Sequence, residues 1–195
     1  MPAFARSVPL AAAGLLLCFQ SAYAQVWTVE DGSQIRFTAL QQGSPVAGRF
    51  DRFSADITFD PDRLASSLVA VQIDTTSIDT GHKDRDTTLR SSAFFDVQRW
   101  PTARFRSKKL RRVKGDAYEA VGALTIRDVT KEVVLPFTLA IAADPGGPRR
   151  LLADAKGELT ISRLDYGVGQ GDWASTKTVG ANVVIDLEIH ASRPR

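Results

Sequence analysis

The sequence predicts an all-β fold built as an antiparallel sheet with one short helical insertion. Three observations lead there. Apolar and polar residues alternate with period two in segment after segment. Gly, Pro and Asp clusters separate those segments at turn-like positions. Only one polar stretch escapes the alternation. Period-two alternation places one face of each strand against a core and the other in water, the pattern of antiparallel sheets.

The first 24 residues read as an export signal rather than as part of the fold. Arg6 supplies a positive start, Val8 to Phe19 is apolar and uncharged, and Ala22-Tyr23-Ala24 has the small-x-small pattern of a cleavage site before Gln25. The apolar run is too short to span a bilayer comfortably. Leu17, not a small residue, precedes Cys18, which argues against lipidation. Removing residues 1–24 leaves a single 171-residue domain, residues 25–195, without Cys or Met. No later apolar run reaches the length of a membrane span.

Alternating segments follow in order: Ser33 to Ala39, Ala55 to Phe59, Leu68 to Asp74 with Val69, Val71 and Ile73 on one face, and Ala103 to Ser107. Tyr118 to Ile126, Glu132 to Ile141, Ala153 to Ile161 and Val179 to Ile189 complete the set. Turn signals between them are Asp31-Gly32, Gly43-Ser44-Pro45, Asp60-Pro61, Gly115-Asp116 and Asp144 to Pro148. The exception, His82 to Ser92, reads as a short helix with Thr80 as a candidate N-cap. About eight to ten strands are expected, enough that the sheet closes into a barrel or splits into a sandwich.

The composition leaves little for catalysis or metal binding. The chain has one Cys and two His, which excludes Cys/His zinc modules, iron–sulfur centres and disulfide scaffolds. His82 lies in the polar insertion and His190 near the end of the chain, and no nucleophile motif accompanies either. Asp84 and Asp86 read as surface carboxylates facing water or pairing with Arg85 and Arg90. Gly167 to Gly171 lacks the Lys-Ser/Thr of a phosphate loop, so it reads as a loop between strands, with Trp173 capping a pocket or packing on a barrel end. No catalytic residue, metal or cofactor is expected.

Eight basic residues and no acid lie between Arg99 and Lys114. Export disfavours nucleic acid as their partner. A solvated strand face, or a patch for anionic lipid head groups or a phosphate-bearing ligand, is the reading. The apolar strand positions Phe37, Ile57, Phe59, Val71, Ile73, Phe105, Leu124, Ile126, Phe137 and Ile185 form a core whichever way the sheet closes. They either fill a dry interior or line a tunnel for a long apolar ligand, and periodicity does not choose.

Several ordered motifs resemble the YceI-like family of polyisoprenoid-binding, lipocalin-like periplasmic proteins. They include Gly48-Arg49-Phe50 with Phe53 to Pro61, Ser77 to Gly81, Arg85-Asp86, Leu89-Arg90-Ser91, Phe94-Phe95-Asp96-Val97 and Trp100 to Phe105. Gly122 to Lys131 and Asp165 to Trp173 continue the match over most of the exported chain. The sequence departs from many members at Asp31-Gly32-Ser33 and Leu40 to Gly43, where a His is common, which bears on ligand identity.

The resemblance implies an extended antiparallel lipocalin-like barrel with a short helix. It also implies a periplasmic carrier of an isoprenoid lipid, a polyprenyl phosphate or a prenylquinone-like amphiphile. The implied binding residues are Phe37, Phe50, Ile57, Phe59, Val71, Ile73, Phe94, Phe105, Leu124, Ile126, Phe137 and Trp173. Arg49 and Arg85 are expected at the entrance. Two other readings stand beside this one: a hydrolase or isomerase acting on an amphiphile in the same cavity, and a filled-core accessory module of a membrane b-type cytochrome. A homodimer through an exposed edge strand is a further expectation.

Overall fold

The computed structural model describes residues 25–195. The expected export signal, residues 1–24, lies outside the described residues. Strands β1 (Val26–Val29), β2 (Gln34–Gln41), β3 (Ser44–Phe50), β4 (Phe53–Thr58) and β5 (Leu68–Asp74) come first. A two-residue strand β6 (Ile78–Asp79) and a helix α1 (Lys83–Arg90) form the insertion. Then come β7 (Thr102–Lys114), β8 (Ala117–Ile126), β9 (Val129–Asp144), β10 (Gly147–Ser162) and β11 (Val179–Pro194).

The sheet closes. Its order is β1-β4-β5-β7-β8-β9-β10-β11, and β11 pairs back onto β1, giving an eight-stranded antiparallel barrel. Closure pairs the two outer strands of this ring with each other. β1 and β2 act as one bent strand, since β11 pairs with β2 from Val179 to Glu188 and with β1 at Ala191 and Ser192. β3 and β4 are bent in the same way, pairing with β2 and β1. β3 therefore leaves the barrel proper and ends against β6, at Arg49↔Asp79 and Phe50↔Ile78.

The two ends differ. The upper end carries α1 and the connecting segments 91–101 and 163–178, while the lower end carries the β4–β5 connection and the β7–β8 and β9–β10 hairpins. Inward positions run unbroken across neighbouring strands: Ala55↔Val71, Val71↔Phe105, Phe105↔Leu124, and on the far wall Leu159↔Ile185 and Gly157↔Leu187. Two glycines let aromatic rings lie flat on the wall. A Cβ at Gly122 would stand 2.5 Å from the Arg106 carbonyl and 2.8 Å from the Phe105 ring, and one at Gly48 would collide with the Phe37 ring.

Three local expectations change. Ser44-Pro45 is not a turn: the hairpin tip is Gln42-Gly43, both at positive φ, and β3 begins at Ser44. Pro45 and Gly48 hide that strand from a propensity reading. Thr80 does not cap α1. The N-cap is His82, without a side-chain bond, and Thr80 instead donates its N–H and hydroxyl to Asp86 Oδ1 at 2.9 and 2.7 Å. Asp86 is accordingly buried and is no surface partner of Arg85 or Arg90. Arg90 donates to the carbonyls of Thr76 and Ile78, tying the helix to the sheet.

Candidate functional site

The barrel encloses a cavity of about 170 Å³. Its wall is apolar throughout, formed by Trp27 of β1, Phe53, Ala55 and Ile57 of β4, Phe59 just beyond it, and Val69, Val71 and Ile73 of β5. Phe105, Ala120 and Leu124 continue it, with Leu135, Phe137, Leu139 and Ile141 of β9. Alternate residues of β10 and β11, from Ala153 to Leu159 and Ile185 to Ala191, close the far side. An apolar void of this kind stays dry and takes an apolar guest. Val71, Ile73 and Ile185 face inward yet are only half-buried, because their accessible surface lies against the cavity.

The wall contains the expected residues Ile57, Phe59, Val71, Ile73, Phe105, Leu124 and Phe137, as well as Ile185. It does not contain the others. Ile126 is buried in the core next to the wall. Phe50 lies between Phe37 and Phe95, at ring separations of 5.5 and 5.9 Å. Phe37, Phe94, Arg85 and Trp173 come together elsewhere, in an upper-end groove of about 390 Å³ that His82 and Asp84 also border. Trp173 packs edge-on against Phe94 at 5.4 Å. Arg49 lies outside the cavity in an exposed cluster, 2.7 Å from Asp51 and 2.5 Å from Asp79, and these carboxylates hold its pKa above the usual arginine range.

The same alternation marks further wall residues. Leu135, Leu139 and Ile141 continue the alternation that gave Phe137, and Leu187 and Ile189 continue that of Ile185. Trp27 sits in a four-residue strand, too short for a periodic signal, and its indole donates to the Phe59 carbonyl at 2.9 Å. Its ring therefore forms part of the lower wall beside Phe59, which meets Tyr118 edge-on at 5.5 Å. Tyr118 in turn stacks on Phe137, also at 5.5 Å.

The loop bearing Trp173 is fixed by Arg163, which is 3% exposed. Its guanidinium donates to five carbonyls, those of Val168, Gly169, Trp173, Val179 and Gly180. Burial lowers its pKa below the usual arginine range, and the ring of carbonyl dipoles compensates the charge. Gly169 is at φ +82°, and any Cβ there would collide with the Arg163 guanidinium. The expected loop between strands thus contains two ordered turns, Arg163–Tyr166 and Gly171–Ala174.

Among the described residues no three His, Cys, Asp or Glu side chains gather as a metal site. His190 is paired with Asp154 at 2.6 Å on the surface. No helix among the described residues is long and apolar enough to cross a membrane.

The YceI-like domain model matches residues 27–191. The chain belongs to the YceI-like domain family. A UPF0312 protein of Photorhabdus laumondii is 32% identical over 184 residues, covering 92% of this chain and 93% of its own length. Among solved structures, Burkholderia cenocepacia BcnA superposes with a TM-score of 0.74 at 29% identity, covering 85% of this chain and 99% of BcnA. A polyisoprenoid binding domain from Saccharophagus degradans has a TM-score of 0.66 at 14% identity, over 87% of this chain and 99% of that domain, and so shares the fold.

Proposed function

We propose that this YceI-like protein is a periplasmic carrier that shields the isoprenoid tail of an amphiphilic lipid inside its barrel. The observation that carries the reading is the cavity wall, which is apolar from Trp27 to Ala191 around the whole closed sheet. Each tail methylene moved from water onto such a wall gains about 0.8 kcal/mol, so binding needs no polar anchor inside. The polyisoprenoid binding described for the Saccharophagus relative is consistent with this role. The wall carries no titratable side chain that could serve as a general acid or base, which favours carriage over conversion of the lipid.

The cavity size sets how the lipid is held. At about 170 Å³ it is close to an engineered cavity of roughly 150 Å³ that takes one benzene, and below the roughly 300–1,000 Å³ of drug-sized sites. The resting barrel accepts a short apolar segment, and a longer prenyl chain enters as wall side chains change rotamer. Ala55, Ala120, Ala153, Ala155 and Gly157 leave room for such movement.

Native mass spectrometry of freshly purified protein, followed by lipid extraction, tests the reading. A co-purifying prenyl lipid, or uptake of one by the stripped protein, is expected. Protein that is empty and takes up no prenyl alcohol, phosphate or quinone contradicts it.

A further inference from the structure

Two cations lie on aromatic rings at the lower end of the barrel without carboxylate partners: one on the wall residue Trp27, the other on Tyr118, which packs against the wall residues Phe59 and Phe137. Arg193 follows Ala191 on the inward phase of β11, and its guanidinium lies 5.1 Å from the centroid of Trp27, a wall residue. Its Nε is buried and bonds to nothing, and its one side-chain bond goes to the neighbouring Pro194 carbonyl. Arg112 lies 5.0 Å from the Tyr118 ring centroid and donates to the Tyr118 hydroxyl, with no acid within ion-pair distance among the described residues.

The wall is also most exposed at this end. Ile141, on the β9 segment that runs toward the lower hairpin, is 37% exposed, and the other wall residues are more buried. At the same end of the barrel an open groove of about 570 Å³ is lined by Arg149, Arg150 and Arg193 with Thr28, Gly147, Ser192 and Pro194. Arg150 is neutralised by Glu30 at 2.7 Å and Asp144 at 3.7 Å, but Arg149 has no ion-pair partner among the described residues. The nearby acids are committed or distant from the rings. Asp60, which feels the field of Arg193, is held by Arg63 at 2.7 Å and by Gln25 at 3.2 Å. Glu119 pairs with Arg111. Asp62 and Asp116 are exposed at turns.

We infer that the lower end is the head-group end of the site and that the ligand class is an anionic, single-tailed amphiphile. Its phosphate or carboxylate is recognised by Arg193 and Arg112, with Arg149 at the rim, while its tail runs up into the cavity. This inference rests on the carrier reading and selects among its ligands. A neutral quinone carbonyl accepts a hydrogen bond from a guanidinium but leaves its charge uncompensated, whereas an anion both accepts the bonds and pairs with the charge. The arrangement also gives a role to the basic end of β7, which the apolar cavity alone does not use.

The test compares two probes with one tail, farnesol and farnesyl phosphate, on the full folded protein. Farnesyl phosphate is expected to bind at least about tenfold more tightly, the scale of one or two charge-assisted hydrogen bonds. In Arg112→Gln/Arg193→Gln the preference falls to within about twofold, the level left by long-range charge, and most of the loss lies in farnesyl phosphate affinity. A thermal melt establishes that the double variant is folded, and Arg112→Lys/Arg193→Lys retains part of the preference. Millimolar inorganic phosphate narrows the gap between probes without releasing farnesol, which separates a lipid head-group subsite from a site for free phosphate. If inorganic phosphate abolishes binding of both probes, the head-group assignment is overturned. Equal binding of the two probes, or a preference that survives in the double Gln variant, overturns the inference and leaves the carrier reading intact. Failure of both probes to bind overturns the carrier reading itself.

Discussion

The upper and lower ends of the barrel use the same side chain, arginine, in opposite ways. At the upper end guanidiniums bind the backbone carbonyls of distant segments. Arg163 satisfies five, Arg90 two, and Arg127 binds those of Phe94 and Gly167 while stacking 4.6 Å from Trp100. These bonds turn long connections into a rigid cap. At the lower end Arg112 and Arg193 lie on aromatic rings with donors left over. A guanidinium whose terminal nitrogens bond to two or more carbonyls of distant segments is architecture, even where its Nε is unpaired as in Arg127, whereas one that bonds only its own strand or a ring neighbour is available to a ligand. Charge alone does not separate the two cases; the acceptors do.

Breaking the upper cap should cost the most. Arg163→Met strands five carbonyls and empties a packed site, with an expected loss of about 3–5 kcal/mol. For a domain of this size that is a melting-point drop of roughly 10 °C, read by circular dichroism. Gly122→Ala comes next. Its methyl meets the Arg106 carbonyl and the Phe105 ring, so overpacking of about 1–3 kcal/mol is expected in urea titration. At the lower end Arg112→Gln or Arg193→Gln should shift stability by only about 1 kcal/mol, because each loses a cation–π contact, and Arg112 its bonds to the Tyr118 hydroxyl, at a partly wet site. A large destabilisation from either would show that the lower guanidiniums are structural too, and would erase the contrast between the ends.

The smallest effect sharpens the comparison through pH. Hydrogen bonds from Ser192 and Arg150 hold Glu30 below the usual carboxylate range, and Arg63 does the same for Asp60. At the sheet edge near the upper end, the Thr76 hydroxyl leads in lowering Asp74, with Arg52 adding to it. A carboxylate whose folded pKa is depressed stabilises the fold above its unfolded pKa and loses that contribution as the pH falls through the folded value. The urea midpoint should therefore be flat near neutrality and fall in acid below the ordinary carboxylate range. Asp60→Asn should make that fall shallower.

The strand content was legible because alternation is a local signal. Phe105, Leu124, Phe137 and Ile185 could be assigned to one inward face from sequence alone, and each lies on the inner wall. What alternation does not carry is how the sheet closes. Phe37 has the same period-two signature as Ile35, yet Ile35 lines the cavity and Phe37 packs over Gly48 toward the upper groove, because the paired bends of β1–β2 and β3–β4 swing β3 out of the ring. The hollow interior depends on small residues such as Ala153, Ala155 and Gly157 facing one another's neighbours across closure, a relation between distant strands. The cage around Arg163 was illegible for a different reason: its acceptors are backbone atoms of residues 168–180, and no side-chain pattern announces them.

The central claim is that the barrel is a hollow, apolar chain-holder. It is tested most directly by measuring the affinity of a series of straight and prenyl alcohols of increasing length, for the native protein and for Ala155→Phe, which projects a ring into the cavity between Leu139 and Ile189. The native protein should gain about fourfold in affinity per added methylene until the cavity is full, then level off. Ala155→Phe should level off at shorter chains while remaining folded. Affinity that does not rise with chain length, or a plateau unmoved by the added ring, would contradict the account.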